Sequence, residues 1–477
     1  MGDFQEASER FLKWFRSCGG TFNDDLLEIQ DLRSQDAGRG IIAKKNIPED
    51  TTLFAIPRDI IINVQTSALA EKLPEIFEES MDDEDSNEGV EPLDSWASLI
   101  LIMLYEYLQG SASKWKPYID ILPQTFDTPL FWSEAELKEL EGTSLTREKI
   151  GKEESDEMLR SRILPIVTKH ADVFYPEVAE RLNEDDLLSL AHRMGSTIMS
   201  YAFDLENEGE QSDDEEDGWV EDRDGKTLMG MVPMADMLNA NAEFNVMPPV
   251  HTAHVHHGDQ LQVASLRENI PAGTEILNYY GPLPSSELLR RYGYVTPEHR
   301  RYDIAELPWN LVRTALGEEL ELSKEVIQEI EADVEKKMDS ELEEFFIIER
   351  DSGDPSSYGT LEQLAVLREI SPELDEQLKL FLKAVRKRDP KRKRDDGIFN
   401  TVVERALKAR LAQYPTSVED DEALLSKDNI GKRHRMAVEV RLGEKRVLQE
   451  ALVLVQGGNN TVHGGEERAG KRTKRSS

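Results

Sequence analysis

Two blocks of short β-branched runs stand far apart in this chain, and any fold must bring them together across everything between them. The first block includes Gly40-Ile-Ile-Ala-Lys-Lys45, a turn at Ile47-Pro-Glu-Asp50, and Thr52-Leu-Phe-Ala-Ile-Pro57. The second includes Gln260-Leu-Gln-Val-Ala-Ser-Leu266, after a His257-Gly-Asp259 turn, and Thr274-Glu-Ile-Leu-Asn-Tyr-Tyr280. Apolar runs of this length, bounded by Pro and Gly, read as strands. Between them, over 93–199, apolar residues recur at helical spacing, most clearly at 96–108 and 187–199. The expected fold class is α+β: short β-sheets with a helical insertion at about 65–200 and an acidic loop at about 205–225.

The last third has a different texture. Ile327, Ile330, Val334, Met338, Leu342 and Phe345 keep a helical period, as do Met436, Val440, Val447, Ala451 and Leu454. Further helices are expected over 361–385 and 398–414. The expected domains are a mixed one over 1–295, an all-α one over 310–456 that docks substrate or packs, and a disordered basic tail over 457–477.

Charge narrows the partners. The 477 residues carry 95 Asp plus Glu against 57 Lys plus Arg, a formal charge of −38. Such a field repels phosphate backbones and attracts cationic proteins, so a basic protein partner is expected and direct nucleic-acid binding is not. Two runs, 81–88 and 206–224, are too acidic and too poor in apolar residues to pack, and read as solvated loops. With Cys18 as the single cysteine, an intramolecular disulfide and a cysteine-based zinc site are excluded, and a reducing compartment fits. No apolar run approaches a membrane span, and acids stand near Met1 where a leader would carry bases, so a soluble, intracellular monomer is expected. The basic run 386–394 has the composition of a nuclear-localisation signal, which makes the nucleus, with the cytoplasm, the expected location; a solvated basic loop has the same composition.

Taken singly, the chemical motifs are weak. Gly38-Arg-Gly40 lets backbone approach an anionic group, or simply makes a turn. His251, His254, His256 and His257 lack an accompanying acidic ligand pattern, and no metal is expected there. Four tyrosines between 279 and 294 need partners for their hydroxyls and imply a pocket or interface wall, with an aromatic packing cluster as the alternative.

The order of segments is more specific than any one of them. Gly38-Arg-Gly40 with Ile41-Ile-Ala43, Trp115-Lys-Pro-Tyr-Ile-Asp-Ile-Leu-Pro123, Asp236-Met-Leu-Asn239, Asn278-Tyr-Tyr-Gly281, the 288–295 segment and the 435–445 segment resemble the SET-domain protein methyltransferases. The resemblance is to the branch with a split SET domain and a C-terminal Rubisco-methyltransferase-type substrate-binding domain, and within it to fungal ribosomal lysine methyltransferases. It extends over about residues 25–455.

That resemblance implies methyl transfer from S-adenosylmethionine to a lysine side chain, here of a ribosomal protein. It makes Tyr280 the catalytic phenol at the methyl-transfer pore, and Tyr279 and Tyr294 the walls of the substrate channel. It assigns Gly38, Arg39, Gly40, Tyr201, Asn239, Ala240 and Tyr292 to the cofactor. Many relatives carry His where this chain has Ala240, so only a backbone contact carries over there. In-line displacement at a sulfonium methyl demands chiefly alignment, and an apolar channel favours the neutral amine, so no strong general base is required. Two alternatives stay open: a histidine methyltransferase of the same fold, and a weakly active cofactor-binding scaffold for basic proteins.

Overall fold

Strands from the two blocks pair directly. Thr52–Pro57 lies antiparallel to Gln260–Ala264, with Phe54 opposite Val263 and Ile56 opposite Leu261, and Thr21–Phe22 adds a third strand. Leu53, Phe54, Ala55 and Ile56 are all buried, so both faces of the central strand are covered and its sequence is continuously apolar. Smaller antiparallel pairs join Leu27–Asp31 to Arg39–Ala43, Ile47–Pro48 to Asn269–Ile270, and Ala202–Leu205 to Leu228–Met231. The computed structural model describes residues 2–35, 37–77, 93–177, 179–205, 228–246, 260–338, 341–390, 397–427 and 429–461. Both acidic runs, the histidine group at 251–257, the 391–394 part of the basic run and the 462–477 part of the tail lie outside these residues.

The inserted helices close over the sheets. Ser95–Leu108 starts where the Asp94 carboxylate accepts the Ala97 N–H at 2.7 Å, an N-cap that satisfies one otherwise unpaired donor. Every residue from Ala97 to Glu106 is buried, so this helix is apolar nearly all round because it is core. Its one buried acid, Glu106, accepts the hydroxyls of Ser67 at 2.9 Å and Ser113 at 2.7 Å. Glu184–Tyr201 packs beside it, with Gly195 letting Trp96 and Ile100 approach closely. This second helix delivers Tyr201 to its C-terminal end, facing the sheets.

The C-terminal region is predominantly helical: Trp309–Leu320, Lys324–Met338, Pro372–Arg388, Ile398–Leu411, Val418–Leu425 and Lys432–Thr461. It is not purely so, because Ile304–Pro308 and Phe345–Glu349 form a two-stranded antiparallel ribbon. The final helix serves two cores. Met436, Ala437 and Val440 pack with Trp132, Leu140, Leu145 and Leu289, while Val447, Leu448, Ala451 and Val455 enter the C-terminal core. Polar contacts follow the same seam: Glu444 accepts the N–H and hydroxyl of Ser144 at 2.8 and 2.7 Å.

The helical period read through Leu342 and Phe345 also stops, since the helix ends at Met338 and Phe345 opens a strand, and three further expectations change. The helix expected over 361–385 starts only at Pro372, whose fixed φ suits a first helical turn and whose ring disfavours helix just before it. The preceding segment instead reaches across to the mixed domain, where the Gly359 carbonyl accepts the Phe244 N–H at 3.0 Å. The segment 274–280 is no regular strand, since it bridges to Ile42 at Glu275 and to Ala240 at Asn278 and so divides its pairing between two partners. Residues 457–461, expected as disordered tail, continue the last helix.

Candidate active site

The divided pairing of 274–280 creates the site. The Ile276 N–H donates to the Ile41 carbonyl at 2.8 Å and the Asn278 N–H to the Asn239 carbonyl at 2.8 Å, so one short segment ties the 39–43 strand to the 239–241 turn. Over this junction opens a cleft of about 1440 Å³. Gly38, Arg39, Tyr201, Asn239, Ala240, Tyr280, Tyr292 and Tyr294 all line it. Gly40 sits just beneath.

The two glycines differ in kind. A Cβ on Gly38 would meet no heavy atom within 4 Å, so its backbone faces open space. A Cβ on Gly40 would fall 2.3 Å from Leu32 Cδ1 and 2.6 Å from Glu275 Oε1, so any larger residue must displace those two side chains. Asn239 fixes the same junction, its Nδ2 donating to the Arg39 carbonyl at 3.1 Å and to Glu275 Oε1 at 2.6 Å. The Arg39 guanidinium turns away from the junction. It donates to Ser8 Oγ and the Ile121 carbonyl, both at 2.9 Å, and lies 3.8 Å from the centre of the Phe4 ring. Burial, with Arg33 nearby, draws Arg39 down to about 10.

The tyrosines form one wall. Ser285–Tyr292 ends at Gly293, whose φ of +74° reverses the chain. A Cβ there would lie 2.9 Å from the Thr128 nitrogen, so the turn is pressed against the insertion and both flanking tyrosines meet the cleft. The Tyr280 and Tyr292 rings stack at 4.5 Å and 16°. Tyr280 donates its hydroxyl to the Leu238 carbonyl at 3.4 Å, and Tyr294 to the Ala240 carbonyl at 3.3 Å. Burial raises the Tyr280 hydroxyl well above its usual 10, with the neighbouring tyrosines and Asp236 adding to it. Burial also pushes Tyr292 and Tyr201 up to about 12. These phenols keep their protons at neutral pH and act as donors, not bases.

Tyr279 stands apart from the residues lining this cleft, stacking on Phe244 at 4.8 Å. Ala240 is buried and bridges in parallel to Asn278, leaving main-chain atoms as its contribution.

Three residues at or behind the cleft have no role in the sequence reading. Asp236 faces Tyr118, whose hydroxyl donates to Oδ2 at 2.5 Å, and burial pushes the carboxyl up to about 7. A lone acid in the apolar stretch 228–238 is the signal that points to it. Tyr118, completely buried, belongs to the Trp115-to-Pro123 segment but shows no sign of its partner. Phe4, on the helix Gly2–Ser17, reaches the cleft between Arg33 and Arg39, and nothing in its local sequence predicts that. Among the described residues, no group of three or more His, Cys, Asp or Glu could hold a metal, and no helix is long and apolar enough to cross a membrane.

Comparison with known proteins gives this geometry a context. The SET domain pattern matches residues 38–281, and the Rubisco LSMT substrate-binding pattern matches 327–448. Ribosomal lysine N-methyltransferase 4 of Saccharomyces cerevisiae is 32% identical over 333 residues, covering 69% of this chain and 63% of that protein. N-lysine methyltransferase setd6 of Danio rerio is 30% identical over 298 residues, 61% of this chain and 57% of that one. The matches to these two therefore span less than two thirds of the relatives' own lengths. Human N-lysine methyltransferase SETD6 is 26% identical over 445 residues, 88% of this chain and 84% of that one. The fold is shared with the crystal structure of the SET domain of LSMT bound to lysine and AdoHcy. That likeness has a TM-score of 0.63 at 21% identity, over 96% of this chain and 93% of that one.

Proposed function

Since the chain belongs to the SET-domain family, we propose that it is an S-adenosylmethionine-dependent protein-lysine N-methyltransferase acting on a basic, ribosomal-type protein. The single observation that carries this reading is the half-buried Tyr280 phenol, in one cleft with Gly38, Asn239, Ala240 and Tyr292. The residues fit the cofactor. The open space at Gly38 admits a ligand against the backbone, and the phenols with Asp236 supply hydrogen bonds and negative charge for a cationic one. Gly38, Arg39, Gly40, Asn239 and Ala240 would hold it through the junction they build, and Tyr201 and Tyr292 through their rings. When bound, S-adenosylmethionine supplies a methyl group whose carbon–sulfur bond breaks, the electron pair staying on sulfur, as the lysine nitrogen's lone pair takes the carbon.

The chain's own part is alignment and the choice of protonation state. Desolvation in the channel and the positive charge of the adjacent sulfonium disfavour a charged ammonium before reaction, so the amine enters neutral. The Tyr280 hydroxyl, fixed by its stack on Tyr292, orients that amine. Tyr294 walls the channel, and an aromatic face suits the cationic product.

The ribosomal part rests on the name of the yeast relative and on the charge of −38, which favours lysine-rich cationic targets. Labelled cofactor and ribosomal proteins from a strain lacking the enzyme form the test. Label on a ribosomal lysine, located by mass spectrometry, is expected; label on histidine alone, or none with cofactor bound, would overturn the assignment. We also propose nuclear entry through 386–394. Arg388 is paired with Glu329 and Asp333 there, so deleting 389–394 spares the helix, and an unchanged distribution would dismiss the signal.

A further inference from the structure

One half-buried carboxyl lining the cleft has no part in the alignment of the amine. Asp236 is the lone acid of the stretch 228–238, and its neighbours Val232, Met234, Ala235 and Met237 are all buried. Met234 adopts a φ of +80°, a strained conformation for a residue with a side chain, directly before the short turn Ala235–Met237. Strain of that kind persists only where the surroundings enforce it, and here it comes two residues before an acid that lines the cleft and accepts the Tyr118 hydroxyl.

The groups facing that carboxyl are uncharged. Tyr118 donates from the insertion at 2.5 Å, and the main-chain N–H groups of Met234 and Asp236 also favour the ionised form. Tyr201 stands at the end of Glu184–Tyr201 and Tyr280 at the end of the crossing segment, each close enough to feel its charge. Of the other charged groups at the junction, Glu275 is tied to Asn239, and Arg39 donates to Ser8 and Ile121. Among the described residues, Asp236 makes no ion pair. A carboxylate half out of water and without a cation is only partly compensated, and one lining a cleft is positioned to receive its cation from the ligand.

We propose that ionised Asp236 is the counter-charge by which this cleft favours cationic S-adenosylmethionine over its neutral product S-adenosylhomocysteine. This rests on the methyltransferase reading and adds to it a reason for product to leave. The two ligands share their amino, carboxylate and adenosine groups and differ by one methyl and one positive charge. The ratio of their affinities therefore isolates the effect.

Calorimetric titration of the full chain with each ligand between about pH 5.5 and 8 is the test. The preference for S-adenosylmethionine is expected to rise roughly five- to tenfold across that window, as a one-unit coupling between carboxyl and cation requires. Asp236→Asn keeps an acceptor for Tyr118 and should abolish the rise. Tyr118→Phe removes a hydrogen bond that favours ionisation, so the step should move to higher pH; this variant also serves if Asp236→Asn does not fold. Glu275→Gln should keep the step. A pH-independent ratio in the unmodified protein, or a step lost in Glu275→Gln and kept in Asp236→Asn, would overturn the proposal. Failure to bind either ligand would instead overturn the methyltransferase reading.

Discussion

The rings of Tyr280 and Tyr292 lie 4.5 Å apart and 16° from parallel, so the phenol proposed to orient the amine is held from one side by a second aromatic plane. Tyr292 is itself the last residue of a helix closed by Gly293 against Thr128. The position of Tyr280 thus depends on the insertion as well as on its own segment.

Replacing Tyr292 separates ring from hydroxyl. Tyr292→Phe keeps the stack and should hold kcat within about threefold. Tyr292→Leu loses about 0.5–1.5 kcal/mol of ring–ring attraction and frees Tyr280 to move, so kcat should fall roughly tenfold. Steady-state kinetics on both variants, with circular dichroism to confirm folding, checks this.

Gly40 and Gly38 should part company under the same substitution. Gly40→Ala forces a methyl onto Leu32 and Glu275 and should cost about 1–3 kcal/mol of stability. Gly38→Ala meets open space, so stability should stay within about 0.5 kcal/mol while affinity for S-adenosylmethionine falls. Thermal melts and calorimetry distinguish the two; equal loss of stability in both would show that the loop is packed differently.

This contrast shows where the sequence is readable. The 52–57 and 260–264 strands are legible because both are apolar runs closed by turn residues, and burial alone dictates their pairing. The 274–280 segment looks like the same thing, yet its hydrogen bonds go to 41–43 from Thr274 and Ile276 and then to 239–241 from Asn278, and no period records a divided partnership. Tyr280, Tyr292 and Tyr294 are legible because several phenols in a short span need hydrogen-bond partners. Asp236 is half-legible: an acid among apolar residues signals a special environment, but its partner Tyr118 lies 118 positions away in the chain. Phe4 reaches the cleft only through tertiary packing against Arg33 and Arg39.

Acid should loosen the docking of the last helix. Asp421 is completely buried between Arg441 and Lys445. Burial pushes its carboxyl up, but hydrogen bonds from Arg441, Lys445 and Thr416 outweigh that and hold it below 3.8. A depressed carboxyl contributes stability that is complete above the unfolded pKa and lost as pH falls through the folded one, here below about pH 4. Asp421→Asn leaves buried Lys445 without its carboxylate and Arg441 with only Glu139, at 3.5 Å, and should cost about 3–5 kcal/mol at neutral pH. Urea unfolding from pH 3 to 7 should show a smaller acid-side loss in the variant; an unchanged profile would remove Asp421 from the account.

Salt should slow capture of the substrate. With a net charge of −38, encounter with a basic protein is accelerated at low ionic strength, and screening shortens the field from about 30 Å at 0.01 M to about 8 Å at 0.15 M. The kcat/KM for a ribosomal protein should fall across that range, while that for a short neutral lysine peptide should barely change. Parallel falls for both would point to salt acting on the cleft itself.

The most direct measurement is single-turnover methylation of a ribosomal-protein fraction, followed by mass spectrometry, in the unmodified enzyme and in Tyr280→Phe. With calorimetry showing equal S-adenosylmethionine affinity, the variant should methylate lysine about 100-fold more slowly, the usual scale for losing a positioned donor at a reacting centre. Equal rates in the two proteins would contradict the central role given to that phenol.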